Sequence, residues 1–113
     1  MRIINKAKNR GLAEQAEVAK TLFKKAKGLL GRNMLQEKEA MILEACNSVH
    51  TFFMRFPIDI LFVGRNNRIV GMAHNVKPWH LTPIYWKAAF VIELPAGVIK
   101  DSGTEIGDEL VFD

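Results

Sequence analysis

A chain of 113 residues, 49% hydrophobic and 25% charged, has room for one hydrophobic core and is too apolar to stay disordered. Its apolar runs fall far short of the roughly 20 residues that span a membrane, and its amino-terminal stretch MRIINKAKNRG lacks the apolar core of a secretory signal, so the expectation is a single-domain cytoplasmic protein with no membrane partner. The net charge of +4 is uneven, with ten Lys/Arg against three Asp/Glu in residues 1–38 and six against nine in residues 39–113.

Residues 2–5 and 12–18 read as two strands of a hairpin around the turn-prone NKAKNRG, with Leu12, Ala16 and Val18 sharing one parity. From Ala19 to Lys27, apolar Ala19, Leu22, Phe23 and Ala26 fall at i, i+3, i+4 and i+7, which predicts a short amphipathic helix with Gly28 as its C-cap. A glycine-punctuated connection, GLLGRNMLQEKEA, leads to AMILEAC, a buried strand. His50–Phe56 is rich in strand formers, Pro57 breaks the run, and Ile58–Val63 is apolar on both parities, as an internal strand requires. GRNN at 64–67 is a turn, and RIVGMAH is the returning arm of a second hairpin. The stretch NVKPWHLTPIYWK, with two prolines and two tryptophans, reads as a long ordered loop. AAFVIELPAG is a strand running into a turn, and ELVFD closes the fold after Gly103 and Gly107. Many short strands with one helix predict a mainly β domain, a compact sandwich or barrel-like fold covering residues 1–113.

The polar residues within the apolar segments are the candidates for function. His50, Thr51, Arg55 and Asp59 interrupt a phenylalanine-rich run, and such groups enter a core only when paired. Arg32 and Arg55 are suited to partner Asp59 and Glu93, since a guanidinium satisfies a carboxylate with two parallel hydrogen bonds. A structural network of Arg32, Asp59 and Glu93 is therefore expected, with backbone donors as the alternative partners of each acid. His50, Thr51, Arg55 and Asp59 would form a polar network beside the GLLGR loop, fixing loop to sheet, and that network would also floor a pocket. On the proline-bearing loop, Trp79, His80, Tyr85 and Trp86 either contact a ligand or pack over the end of the sheet.

Other chemistry finds less in the residues. Cys46, His50 and Met54 recur every four positions, but four residues of strand span about 13 Å, too far for one metal ion. No metal and no cofactor is expected. A thiol nucleophile at Cys46 with His50 as base meets the same objection. With a single cysteine, no internal disulfide forms. Lys20, Lys24, Lys25 and Lys27 suggest a phosphate footprint. Three of them share the helix face opposite Leu22 and Phe23, where solvation accounts for them, so only weak, salt-sensitive nucleic-acid binding is expected.

Three segments, AKGLLGRNML, CNSVHTFFMRFPIDILFV and FVIELPAG followed by IGDEL, resemble the signature blocks of the uncharacterised family called domain of unknown function 192. The likeness spans nearly the whole chain. It falls on Gly28, Leu29, Gly31 and Arg32, on His50, Thr51, Met54, Ile58 and Asp59, and on Glu93, Gly97, Gly107 and Asp108. Leu30 stands where other members carry methionine, an exchange that a core tolerates. The resemblance implies a small β-rich fold and brings no activity, substrate or cofactor. The residues themselves favour a non-enzymatic binding module for a peptide segment or small anion. Its candidate ligand-binding residues are Arg32, His50, Thr51, Arg55, Asp59, Trp79 and His80. An acid–base enzyme using His50 or Asp59 is the alternative, and a weak basic-surface nucleic-acid binder is a third reading.

Overall fold

The computed structural model describes residues 1–19, 35–52 and 54–113. The elements among them are β1 (Ile3–Asn5), β2 (Arg10–Ala13), β3 (Gln15–Ala19), β4 (Glu39–Glu44), β5 (Ile58–Val63), β6 (Ile69–Val76), β7 (Phe90–Pro95), α1 (Val98–Ser102) and β8 (Leu110–Phe112). They form two open sheets, one of three strands in the order β2-β1-β8 and one of five in the order β3-β4-β7-β5-β6. The mainly β sandwich read from the sequence is the fold that forms, without closure into a barrel. No helix among the described residues is long and apolar enough to cross a membrane.

The amino-terminal hairpin forms as β1 against β2, but the predicted strand at 12–18 is divided between the two sheets. Glu14 and Gln15 are adjacent, exposed polar residues that break the alternation of Leu12, Ala16 and Val18. Their two amides both donate to the carbonyl of Lys38, at 2.9 and 3.0 Å, which turns the chain from β2 into β3. Strand β3 then pairs in parallel with β4. Ala19, predicted to open a helix, is the buried last residue of β3, paired with Leu43. The remainder of that predicted helix, with Gly28 and the GLLGR segment, lies outside the described residues.

The five-stranded sheet is apolar on both faces because β5 and β7 carry apolar residues at both parities. Leu61, Val63, Ile92 and Leu94 face the three-stranded sheet and pack with Ile3, Leu12, Leu110 and Ile99 of α1. Ile58, Ile60, Phe62 and Val91 face the other way, onto Val49, Met54 and Phe56. The segment that supplies this second cover, His50–Phe56, was expected as a strand. Its described residues make only the isolated bridge of His50 to Leu81, and they wrap across the sheet face.

The three-stranded sheet is joined to the carboxy-terminal turn through Asn5, which is fully buried. Its Nδ2 donates to Thr104 Oγ1 at 3.0 Å and to Asp108 Oδ2 at 2.9 Å, and its Oδ1 accepts the Lys8 amide at 3.0 Å. Burial pushes the Asp108 carboxyl up. Hydrogen bonds from Asn5, the Glu105 amide and Lys8 outweigh that effect, so it titrates below its ordinary value. Strand β1 is completed by β8, which pairs Ile3 with Phe112 across the length of the chain.

One glycine sets the position of the proline-bearing loop. The Tyr85 ring lies on Gly71 of β6 and stacks on Phe62 with centroids 4.1 Å apart. A Cβ at position 71 would meet that ring at 2.3 Å. Gly71→Ala should therefore lower stability by about 1–3 kcal/mol through overpacking and displace Tyr85. Urea unfolding and the near-ultraviolet circular dichroism of the aromatic residues measure the two effects; an unchanged protein would show that the ring yields without loss.

Candidate functional site

The loop after β6 carries Pro78 and Pro83, which cannot donate backbone hydrogen bonds. Its free amides are matched instead to the segment before β5. Thr82 N donates to Val49 O at 2.9 Å, Tyr85 N to Asn47 O at 2.9 Å, Thr51 N to His80 O at 2.8 Å and Trp79 N to Thr51 O at 3.1 Å. Two buried threonines complete the seam. Thr51 Oγ1 donates to Lys77 O at 2.6 Å and accepts the His80 amide at 2.9 Å, while Thr82 Oγ1 accepts the Val49 amide at 2.9 Å. Thr51, a predicted site residue, is thus fully buried and joins two segments.

The seam displays aromatic rings to solvent. His50 and Phe52 have centroids 5.0 Å apart, and Phe52 stacks on Trp79 at 5.9 Å and 26°. Trp79 is 61% exposed and Leu81, opposite His50, is 70% exposed. Trp79 also holds a left-handed backbone, φ 68°, an uncommon conformation for a bulky residue. Side chains this large and apolar are seldom left together in water on a monomer surface without a use. His80 and Arg55 are exposed as well. His80 Nδ1 lies 3.0 Å from the carbonyl oxygens of both Lys77 and Pro78, which assigns the proton of the neutral ring to Nδ1.

The two carboxylates of the expected network lie on opposite faces of the five-stranded sheet. Asp59, almost fully buried, points toward α1. Its Oδ1 accepts the Asn75 amide at 2.8 Å, and its Oδ2 accepts the amides of Gly97 at 3.0 Å and Ile99 at 2.9 Å. An extra residue in β6 between the pairs Ile58–Val76 and Ile60–Ala73 bulges that strand where the Asn75 amide turns inward. Among the described residues, the hydrogen-bond partners of this acid are backbone amides. Arg32, its other expected partner, lies outside the described residues.

Glu93 shares the parity of Val91 and stands beside Met41 and Ile60 on the second face. It receives no hydrogen bond among the described residues, and burial pushes its carboxyl up from the usual 4.5 to about 7. Asp59 and Glu93 thus belong to one sheet without meeting.

A concavity among the described residues lies elsewhere, where β4 ends, β5 turns into β6 and β7 begins. It is a cleft of about 910 Å³ whose lining includes Cys46, Asn47, Gly64, Arg65, Trp86 and Lys87. The Cys46 thiol donates to Ser48 O at 3.0 Å, whereas Met54 is buried and His50 is exposed, so the three residues of equal spacing occupy three environments. Among the described residues, no three His, Cys, Asp or Glu side chains come together as metal ligands.

Residues 3–112 match the family described as Uncharacterized ACR, domain of unknown function 192. The chain belongs to this family. Relatives include a UPF0127 protein of Thermococcus sibiricus, 31% identical over 96% of this chain and 72% of its own. Another UPF0127 protein, from Pyrococcus horikoshii, is 28% identical over 96% of each chain. The fold is shared with the crystal structure of a protein of unknown function from Novosphingobium aromaticivorans, with a TM-score of 0.86, 25% identity and coverage of 99% of this chain and 84% of that one. Within the family, the marks at Thr51, Asp59 and Gly97 fall on the seam and on the carboxylate junction described above.

Two outcomes follow from the buried acids. Asp59→Ala leaves three amides without their acceptor and should lower stability by about 3–5 kcal/mol; a loss near the ~0.5 kcal/mol of a surface substitution would show that water replaces the carboxylate. Glu93 keeps its proton in the folded state between pH 4.5 and about 7, where the unfolded chain releases it. Stability should therefore fall by roughly 3 kcal/mol as pH rises through that window and level off above it. Glu93→Gln should remove this part of the slope and be the more stable form at pH 8. Urea unfolding at pH 5 and 8 reads both; an unaltered slope would assign the effect to other groups.

Proposed function

We propose that the protein is a small non-enzymatic binding module for a peptide segment or small anionic ligand, received on the exposed surface of His50, Phe52 and Trp79. The observation that carries this reading is the solvent-facing stack of those three rings on a backbone seam closed by Thr51 and Thr82. A rigid aromatic surface loses little side-chain entropy on binding and presents a large apolar area, the property that makes tryptophan a frequent anchor of interfaces. Exposed Arg55 lies within a few residues of the rings along the chain and supplies donors for a carboxylate or phosphate, whereas His80, its Nδ1 turned to the Lys77 and Pro78 carbonyls, donates from Nε2 only as the imidazolium. Thr51 and Asp59 would act by holding this surface, since their polar atoms already serve the backbone. An acid–base reaction at Asp59 draws less support for the same reason: both carboxylate oxygens are occupied by backbone amides.

Selection of random short peptides displayed on phage, followed by fluorescence anisotropy of the selected sequences, tests the reading. Enriched peptides should pair an apolar residue with an acidic one, and Trp79→Ala should weaken them at least about tenfold. Lys100→Ala, on exposed α1, should leave them unchanged. Failure to enrich any sequence, or binding indifferent to Trp79→Ala, would remove the ring surface as the site.

A further inference from the structure

The cleft at the other end of the five-stranded sheet has a different chemistry from the ring surface, and we infer that it is a second binding site, for a nucleoside monophosphate: a flat ring joined to a phosphate. Its walls come from three turns: Ala45–Asn47 after β4, Gly64–Asn66 between β5 and β6, and Trp86–Ala89 before β7. The volume of about 910 Å³ admits a ligand of that size.

The lining decides the ligand class. Among the described residues it holds two cations, Arg65 and Lys87, and no acidic residue. Both are exposed, and neither forms an ion pair among the described residues. A guanidinium and an ammonium facing one cleft without a counter-charge favour a ligand of two negative charges, and the forked geometry of arginine suits phosphate oxygens. Trp86, 81% exposed, borders the same space. An indole left in water beside two cations offers a face on which a heterocycle stacks. Asn47 adds an amide donor and acceptor able to meet the edge of a base, and Asn66, whose Oδ1 accepts the Arg68 amide at 3.2 Å, adds its amide donor.

The scaffold under these groups is held in place. Ala88 N donates to Tyr85 O at 2.8 Å, Ala89 N to Val63 O at 2.7 Å, Gly64 N to Arg68 O at 2.9 Å and Asn67 N to Gly64 O at 3.0 Å. A Cβ added at Gly64 would stand in ordinary contact with the Lys87 carbonyl oxygen, at 3.4 Å. The turn bearing Arg65 and the turn bearing Lys87 are thereby kept side by side. The small residues Ala45, Gly64, Ala88 and Ala89 leave the space open.

Calorimetric titration of the intact protein with adenosine 5′-monophosphate, adenosine and inorganic phosphate tests the assignment. The monophosphate should bind at least about tenfold more tightly than either fragment, because ring and phosphate are held together. Trp86→Ala should weaken the monophosphate about tenfold and leave phosphate unaffected. Arg65→Gln and Lys87→Gln should weaken the monophosphate and phosphate and leave adenosine unaffected. All three replaced residues are exposed, so the melting temperature without ligand should stay at the wild-type value and serve as the control for folding. Absence of monophosphate binding, equal affinity for monophosphate and phosphate, or indifference to Trp86→Ala would each overturn the proposal. A Trp79→Ala protein that binds the monophosphate normally would show this site to be independent of the ring surface.

Discussion

The Asp59 carboxylate is the point at which the rest of the structure is joined. It lies in β5, a strand buried along its whole length, and accepts amides from the bulge of β6 and from the turn between β7 and α1. Three segments, β5, the β6 bulge and the turn before α1, are therefore held by one polar group that could not stay in the core without partners. Gly97, left-handed at φ 100°, is what allows the turn after β7 to bring its own amide and that of Ile99 to the same oxygen. The positive end of a helical turn adds to the attraction for a carboxylate.

Much of the architecture is legible in the residues because strand period and turn chemistry are local. The apolar double parity of Ile58–Val63, the GRNN turn and the returning RIVGMAH arm each predict their own conformation, and β5 and β6 follow. The errors arise where tertiary partners override that local pattern. His50–Phe56 has the composition of a strand, yet its backbone is taken by the proline-bearing loop and its apolar side chains by the face of the five-stranded sheet. The split at Glu14 depends on the Lys38 carbonyl, 24 residues further on, and α1 forms only because two left-handed glycines bracket it.

The candidate site was legible in part, for the same reason. His50 stands out as a polar residue in an apolar run, and Trp79 and His80 as residues of the proline-bearing loop; all three are exposed. Phe52 and Leu81 do not stand out, since in a run of phenylalanines, or beside a proline, an apolar residue reads as core; only the seam turns them outward. Tyr85 shows the opposite case, a loop aromatic that is spent on packing against Phe62. The cleft residues Arg65, Trp86 and Lys87 come from separate turns, and no spacing rule connects residues that only the sheet brings together.

The pairing of β1 with β8 has a consequence for how the molecule is made. Ile3 leaves the ribosome well before its partner Phe112, from which the intervening strands of the domain separate it. Until then β1 has β2 on one side and an open edge on the other, and the apolar face of Ile3 lacks Leu110. Contacts of such long sequence separation are closed late and slowly, because chain entropy must be lost before they form. The nascent domain therefore carries an exposed strand edge during synthesis, the kind of surface that recruits other chains, and completion of the last strand is the event that closes it.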